Sequence, residues 1–277
     1  MRKALVVGAV VGALFQFPVS QSPVMAADLP LPAPPSCLWC GVYVGGNAGW
    51  AWGNNAVATT PTFPGFLPVD IAAITGASSS TLSSNGLIGG AQAGYNWQFG
   101  RTVVGFEADA DFPSLKTSQA GTYPFPSTLP GGAVGPPTAF FTTQTSVSTD
   151  WLVTARPRVG WTADNWLFYV TGGLAVGREN LTQSVNVLAP FVLTDTFSTT
   201  QVGWTAGAGV AAMLDANWSV KAEYLYIDLG TTSANPGILT PPFAGAGVSS
   251  TLHLTSSIAR VGIDYHFDSA SLFWPTR

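Results

Sequence analysis

The sequence predicts an all-β protein, an eight-stranded antiparallel transmembrane β-barrel with four long extracellular loops and three short periplasmic turns. Three observations predict this fold class. Eight segments alternate apolar and polar residues with period two, which is the side-chain period of a β-strand. Short and long connections alternate between these segments, as in barrels of the bacterial outer membrane. Charged residues make up only 9% of the chain, against roughly a quarter in ordinary soluble domains.

The first 26 residues have the composition of a secretory signal peptide. Arg2 and Lys3 give a positive start, an apolar stretch covers residues 4–17, and small residues precede a cleavage site after Ala26. A membrane anchor is the alternative, but this apolar stretch is too short to span a bilayer. We therefore divide the chain into a signal peptide (1–26), a proline-rich leader (27–40), an outer-membrane barrel (41–267) and a short periplasmic tail (268–277).

The charge of the exported chain argues against nucleic acid as a partner. Without Arg2 and Lys3, the chain retains 8 Lys and Arg against 14 Asp and Glu, a formal net charge of −6. A mildly acidic chain without a basic cluster lacks the electrostatic pattern of nucleic-acid binding and of polybasic lipid recognition.

Cys37 and Cys40 are the only two cysteines of the sequence. In an exported protein such a pair predicts a small structural disulfide loop. A redox site is the alternative, but such sites usually open a helix in a thioredoxin-like fold, and the sequence contains no such pattern. Two cysteines without neighbouring His residues also make a poor zinc site.

Eight alternating runs define the predicted strands. They are Gly41–Gly53, Asn85–Phe99, Thr102–Phe112, Val147–Trp161, Trp166–Arg178, Gln201–Met213, Trp218–Leu229 and Leu252–Phe267. Three connections are tight turns rich in Gly, Asp and Asn, at residues 99–101, 162–165 and 214–217. The other four are long and rich in Ser, Thr, Pro, Gly and Ala, at roughly 54–84, 113–146, 179–200 and 230–251. This order is what an outer-membrane barrel with both termini in the periplasm requires.

The predicted strands carry an apolar face and a polar face. In the fourth strand Val153 and Val159 lie on one face, whereas Arg156 and Arg158 lie on the other. We expect the apolar faces to contact lipid and the polar faces to line a lumen. Pro157 lies within this strand, and because a proline has no N–H to donate, a bulge or a skipped hydrogen bond is expected there.

Aromatic residues concentrate at the ends of the predicted strands. Those next to short turns or the chain end are Trp97, Trp161, Trp166, Trp218, Tyr265 and Phe267. Trp50 and Trp52 lie at the opposite ends, so two aromatic girdles at the lipid interfaces are predicted. Further apolar groups lie in the long connections, at Phe63, Phe66, Phe125, Phe140, Phe141 and Phe243. They indicate either packing within the loops or a partner-binding surface.

Five segments carry a resemblance to a known family. They are Gly41–Trp50, Gly89–Gln98, Ala155–Trp161, Gly203–Val210 and the closing strand. They resemble the small, porin-like outer-membrane barrels of the opacity-protein and outer-membrane immunogenic protein family of alphaproteobacteria. The resemblance implies an eight-stranded antiparallel barrel in the bacterial outer membrane, inserted by the barrel-assembly machinery.

The closing strand also resembles an assembly signal. Arg260, Gly262, Tyr265 and Phe267 match the spacing found on the last strands of such proteins. In relatives the aromatic residue is usually the final one, whereas here residues 268–277 follow. We expect Phe267 to end the barrel and the tail to lie on the periplasmic side.

Eight charged residues on the polar faces are predicted to form an ion-pair network in the lumen. They are Glu107, Asp109, Arg156, Arg158, Lys221, Glu223, Arg260 and Asp264. An eight-stranded barrel is just wide enough to be filled by side chains, and unpaired charges inside it would be costly. A narrow ion or solute pathway and a catalytic acid–base pair are the alternatives. The long connections contain few further charges, namely Asp70, Lys116, Glu179 and Asp195.

No catalytic, cofactor-binding or metal site is predicted. His253 and His266 lie near opposite ends of the last strand, too far apart to share a metal. The predicted function is therefore that of an integral outer-membrane barrel, not an enzyme, with a role in envelope integrity and surface exposure. Its expected partners are outer-membrane lipid and, during biogenesis, the barrel-assembly machinery. A narrow porin, or an adhesin or ligand-binding protein acting through the loops, is the alternative.

Overall fold

The computed structural model of the protein describes residues 37–64, 66–126, 140–188, 191–234 and 247–267. Within these ranges the chain forms nine strands and one helix. In chain order they are β1 (Gly41–Thr62), α1 (Pro68–Ser78), β2 (Ser80–Phe99), β3 (Thr102–Asp111), β4 (Lys116–Pro124), β5 (Phe140–Ala163), β6 (Trp166–Leu188), β7 (Phe191–Met213), β8 (Trp218–Ala234) and β9 (Gly247–His266). No helix in the described ranges is long and apolar enough to cross a membrane. The predicted signal peptide, most of the leader and the predicted tail lie outside the described residues.

The nine strands form one antiparallel sheet that closes into a barrel. Their order is β3-β2-β1-β9-β8-β7-β6-β5-β4, and an additional pairing of β3 with β5 completes the ring. Both β3 and β4 pair with β5, and residues 112–115 separate them. The nine strands therefore fill eight positions, and the predicted all-β antiparallel barrel is confirmed. Closure removes the unpaired strand edges that a hydrocarbon environment does not tolerate.

The three tight turns lie at one end of the barrel, which we call the turn end. They fall, in agreement with the sequence, at Gly100–Arg101, Asp164–Asn165 and Leu214–Asn217. Gly100 has φ +61°, a left-handed conformation that glycine adopts without the steric penalty of a Cβ. In the third turn, Asp215 Oδ1 accepts hydrogen bonds from the backbone N–H groups of Asn217 and Trp218, both at 2.8 Å.

At the opposite end, the hairpin end, the strands extend further than the sequence predicts. β6 continues to Leu188 instead of Arg178, and β7 begins at Phe191 instead of Gln201. The two strands pair along this whole extension, so the prediction of a long loop at 179–200 was wrong. Beyond the apolar part of these strands the outward side chains change to Ser, Thr and Asn, which ends the apolar alternation but not the hydrogen-bond ladder.

The other three predicted loops also contain regular structure. Segment 54–84 holds the end of β1, helix α1 and the start of β2, and segment 113–146 holds β4 and the start of β5. Segment 230–251 holds the last residues of β8 and the first residues of β9. Phe243 lies outside the described residues. Helix α1 begins at Pro68, whose fixed φ suits the first helical turn.

Pro157 interrupts the pairing of β5 with β6. The pairing stops after Ala155↔Leu174 and resumes at Arg158↔Thr171 in the same register. Thr171 Oγ1 donates a hydrogen bond to the carbonyl oxygen of Pro157 at 2.9 Å, which satisfies that oxygen where the ladder is interrupted. The skipped hydrogen bond expected from the sequence is therefore present.

The outward face between the two ends forms an apolar belt. Exposed apolar side chains such as Val104, Leu174 and Val261 cover its middle. Exposed tryptophans border it, with Trp97, Trp161, Trp166 and Trp218 at the turn end and Trp50, Trp52 and Trp204 toward the hairpin end. On β5 and β6 the belt ends at an exposed pair of Asp150 and Arg178, with 3.7 Å between Oδ2 and Nε. An apolar belt between aromatic rows is typical of the outward surface of outer-membrane barrels.

Inward side chains fill the lumen in layers. An apolar cluster around Trp39 lies near the turn end, and a charged layer follows it. Beyond the charged layer lies a larger apolar layer that includes Leu152, Leu225, Leu254 and Ile258. The core therefore lies inside the barrel, where complete burial of each Leu or Ile side chain stabilises the fold by roughly 1.5–3 kcal/mol.

Candidate functional site

The charged layer contains the site residues that the sequence predicts. All eight point into the lumen, and each is at most 5% exposed. They belong to β3, β5, β8 and β9, and they share the inward face because they occur at every second position of these strands. The closed sheet thus brings together residues from distant parts of the chain.

Arg156 is fully buried at the centre of this layer. Its guanidinium lies 2.8 Å from Glu107 Oε1, 2.8 Å from Asp109 Oδ2 and 3.1 Å from Glu223 Oε1. Three carboxylates from β3 and β8 therefore converge on one cation from β5. Charge-assisted hydrogen bonds of this kind are stronger than neutral ones, and they offset the desolvation of the buried charges.

Arg260 makes a second set of contacts, which includes a carboxylate that sequence analysis missed. Its Nη1 lies 2.7 Å from Asp111 Oδ2 and 3.2 Å from Asp109 Oδ1, and its Nη2 lies 2.7 Å from Glu223 Oε2. Asp111 follows Glu107 and Asp109 on the inward face of β3. Continued period-two alternation was therefore the signal that could have found it.

Lys221 and Arg158 complete the charged layer. Lys221 Nζ lies 2.7 Å from Glu107 Oε2 and 4.0 Å from Asp264 Oδ2, and Arg158 Nη1 lies 3.4 Å from Glu107 Oε2. The Arg158 guanidinium also lies 4.6 Å from the ring centroid of Tyr43, whose hydroxyl donates to Glu107 at 2.7 Å. Glu107 is thus held by cations on two sides and by a phenol.

The layer contains four cations and five carboxylates, and each of these groups takes part in at least one ion pair. Acid–base or nucleophilic catalysis requires a group that a substrate can reach, whereas these side chains are enclosed. In the part of the chain that the structure describes, no group of three or more His, Cys, Asp or Glu residues could hold a metal ion. The ion pairs connect β3, β5, β8 and β9 across the lumen.

Trp39, which sequence analysis did not single out, closes the turn end of the lumen. It is 1% exposed and packs in a cluster with Val103, Leu167, Tyr169, Ala211 and Met213. Its backbone N–H donates to Gln98 Oε1 at 3.1 Å, and its ring meets that of His266 edge-on, 5.7 Å between centroids. Cys37 and Cys40 are joined by a disulfide on either side of it. The disulfide loop thus holds an indole in the mouth of the barrel.

Helix α1 and the long strands close the hairpin end. They contribute an apolar cluster with its partly buried neighbours, Phe63, Phe66, Ile74, Tyr123, Phe125, Phe141 and Val185. Most of the phenylalanines assigned to loops from the sequence therefore pack against one another, whereas Phe140 is exposed. Asp70, which the sequence also placed in a loop, is buried in α1.

Glu179 is a buried carboxylate instead of the loop charge that the sequence predicted. It lies beyond the apolar belt on the inward face of β6, is 3% exposed, and accepts a hydrogen bond from Thr149 Oγ1 at 2.8 Å. Burial raises the pKa of Glu179 from 4.5 to about 8. The hydrogen bond from Thr149 lowers this pKa, whereas the negative charge of Asp150 raises it. Burial dominates because few polar groups surround this carboxylate.

The residues of the predicted assembly signal lie at the turn end of β9 and just after it. Arg260 points into the charged layer, and Gly262 follows it on the inward face. Tyr265 meets Trp218 edge-on with 5.1 Å between ring centroids. Phe267 is the last described residue, and its backbone N–H still donates to β1 at 2.9 Å. Their role in assembly stays a prediction.

The chain is similar to outer-membrane proteins of known sequence and structure. Residues 24–267 match the family described as outer membrane protein beta-barrel domain. The 31 kDa outer-membrane immunogenic protein of Brucella melitensis is 34% identical over 222 residues, covering 74% of this chain and 81% of the relative. The 25 kDa outer-membrane immunogenic protein of Brucella abortus is 27% identical over 242 residues, which cover 86% of this chain and 85% of the relative. Among solved structures, that of Neisserial surface protein A aligns with 13% sequence identity and a TM-score of 0.32. The alignment covers 82% of this chain and 97% of the Neisserial chain.

We expect Arg156→Ala to destabilise the barrel by about 3–5 kcal/mol, because it leaves buried carboxylates without their cation. The matched control is Arg178→Ala, which removes the exposed partner of Asp150 and should change stability by about 0–1 kcal/mol. Urea-dependent unfolding in detergent micelles, followed by tryptophan fluorescence, measures both free energies. Equal effects of the two substitutions would contradict a structural role of the buried pairs.

We expect the stability of the barrel to fall as the pH rises from about 4.5 toward 8. The pKa of Glu179 is about 8 in the folded protein, against 4.5 for the unperturbed group, so the folded state binds its proton more tightly than the unfolded state does. In Glu179→Gln the side chain cannot ionise, so this part of the decline in the free energy of unfolding should be absent. Urea-unfolding curves recorded at several pH values measure this free energy. Asp150→Asn, which changes an exposed carboxylate, is the control and should retain it. The same decline in Glu179→Gln as in the unchanged protein would show that another group is responsible.

Proposed function

Since the chain belongs to the outer membrane protein beta-barrel domain family, we propose that it serves as a closed structural barrel of the bacterial outer membrane. The barrel anchors the extended hairpin-end strands and contributes to envelope integrity and surface exposure, without enzymatic activity. The observation that carries this proposal is the burial of inward side chains at successive levels of the barrel.

Three successive barriers support a closed lumen. Trp39 fills the turn end, the charged layer around Arg156 and Arg260 fills the middle, and the apolar layer with Leu225 and Ile258 follows. The cluster around α1 adds a fourth at the hairpin end. A narrow porin needs a continuous hydrated path, and apolar layers on either side of the ion pairs argue against one in a barrel of this width.

We propose that the turn end faces the periplasm and the hairpin end faces the exterior. Short turns on one side and long extensions on the other support this orientation. Cys37 and Phe267, the first and last residues of the described barrel, both lie at the turn end, so both termini are periplasmic in this proposal. Membrane lipid contacts the apolar belt.

Arg260, Gly262, Tyr265 and Phe267 are proposed to act as the signal for the barrel-assembly machinery. Tyr265 and Phe267 stack edge-on with 5.1 Å between ring centroids, and they form one end of the outward aromatic row. Arg260 has an additional structural role in the charged layer, so Tyr265 and Phe267 are the better residues for a test of assembly.

In planar bilayers the protein is expected to show no stable open conductance, because buried side chains occupy successive levels of its lumen. Trp39→Ala is expected to stay silent as well, since the charged and apolar layers still fill the barrel. A conducting porin inserted under the same conditions is the control, and flotation of the protein with lipid vesicles verifies insertion. A stable open conductance of the unchanged protein would overturn the closed-barrel proposal.

Two variants, each with one added cysteine, test the orientation. The two native cysteines form a disulfide, so the added residue supplies the free thiol that a maleimide can label. Thr194→Cys places a thiol at the exposed hairpin end, and Asp215→Cys places one in an exposed turn. A membrane-impermeant maleimide applied to intact cells is expected to label Thr194→Cys alone. After permeabilisation of the outer membrane both variants should react. Labelling of Asp215→Cys alone in intact cells would reverse the orientation.

Combined Tyr265→Ala and Phe267→Ala substitutions are expected to lower the amount of folded barrel in the outer membrane. Deletion of residues 268–277 is expected to leave this amount unchanged, because the sequence predicts that the barrel ends at Phe267 and the last hydrogen bond described to β1 is made by its backbone N–H. Heat-modifiable gel migration measures the folded fraction. Trp50→Ala with Trp52→Ala, at the opposite aromatic row, controls for a general loss of interfacial anchoring. Assembly lost in the deletion but normal in the Tyr265 and Phe267 variant would place the signal in the tail.

A further inference from the structure

The outward surface beyond the apolar belt is a regular array of uncharged polar side chains. Its part on three neighbouring strands, which we call the hydroxyl face, comprises the outward residues within 142–148 of β5, 180–186 of β6 and 194–200 of β7. All twelve of these side chains are Ser, Thr, Asn or Gln. The pairing sets them side by side in rows, such as Ser146, Thr182 and Thr196.

The side chains of the hydroxyl face hold one another in place. The hydroxyl oxygens of Ser184 and Thr194 lie 3.0 Å apart in a hydrogen bond, and the hydroxyl of Ser198 donates to Asn180 Oδ1. Neighbouring strands are about 4.8 Å apart, and outward residues along one strand are about 6.8 Å apart. Hydrogen-bond donors and acceptors therefore repeat on a fixed grid.

The hydroxyl face begins where the lipid-facing surface ends. Trp204 and Val202 on β7 and Leu174 on β6 belong to the exposed apolar belt. The Asp150–Arg178 pair follows. Above it β6 and β7 continue into the hydroxyl face in unbroken register, whereas β5 enters it through a register shift against β6 between Thr149 and Trp151. The hydroxyl face thus adjoins the apolar belt directly. If the belt spans the hydrocarbon core, the face begins at the level of the polar lipid groups.

We propose that the hydroxyl face binds neutral sugar units of the glycolipid that surrounds the barrel in the outer leaflet. The proposal rests on the orientation given above, with the hairpin end outside. A phosphate ligand would require several cations, and none of the twelve side chains is charged. A stable protein interface would require large apolar or aromatic anchors at its centre, and the face contains none. Sugars present rows of hydroxyl groups, which are both donors and acceptors, as the face does.

Amide hydrogen exchange in lipid nanodiscs tests this proposal. One sample contains phosphatidylcholine with lipid A, which carries phosphates but no core sugars. The other contains phosphatidylcholine with lipopolysaccharide that carries core sugars and no outer repeat. We expect the amides of 180–200 to exchange more slowly only with the core sugars, by about fivefold for each sugar hydrogen bond formed.

Thr182→Val with Thr196→Val removes two hydroxyl groups from the middle of the face and keeps strand propensity and side-chain shape. This pair should lose most of the sugar-dependent protection. The matched control is Thr60→Val with Thr251→Val, an equal change on the outward side of β1 and β9, which should retain it.

Equal protection by lipid A and by the sugar-bearing lipid would overturn the proposal, as would protection by neither. Unchanged protection in the Thr182 and Thr196 variant, or equal loss in the control pair, would also overturn it. Both lipids are present on both faces of the nanodisc, so the exchange result does not depend on orientation in the cell. Reversed maleimide labelling would overturn both the proposed orientation and the binding of outer-leaflet glycolipid, whereas the expected labelling without sugar-dependent protection would overturn sugar binding alone.

Discussion

The narrow lumen of a closed, eight-position sheet is the constraint on which the rest of the structure depends. An interior of this width is filled by side chains and leaves little space for water. Every charge that faces inward must therefore find a protein partner, because an unpaired charge there is costly. Arg156 and Arg260 meet this requirement together, since both contact Asp109 and Glu223.

The same constraint explains the order of layers along the barrel. Ion pairs occupy the level where charged residues of β3, β5, β8 and β9 face one another, and apolar side chains fill the levels on both sides. These apolar layers keep water away from the ion pairs, which strengthens the electrostatic attraction between them. Paired charges and apolar layers inside the barrel are the contacts expected of the structural support that we propose.

The sequence predicted the barrel and most of the charged layer well because, in the apolar belt, the two faces of each strand differ strongly in polarity. Turn positions were predicted by Gly, Asp and Asn. At the hairpin end both faces of the strands contain Ser and Thr, so period-two polarity weakens while the strands continue. Glu179 was assigned to a loop for this reason. Trp39 was missed because a single residue before the first strand has no periodic pattern, and its burial depends on contacts with distant strands.

The position of Trp39 links the closure of the sheet to the exclusion of water. Trp39 lies two residues before β1 begins, and it contacts His266, the last residue of β9. His266 also stacks on Tyr43, the third residue of β1. The contacts of the indole are therefore complete only where the first and last strands are paired. Closure of the sheet and closure of its turn end thus share the same residues, so a change that opens the seam between β1 and β9 also removes the partner of the indole that shields the ion pairs from water.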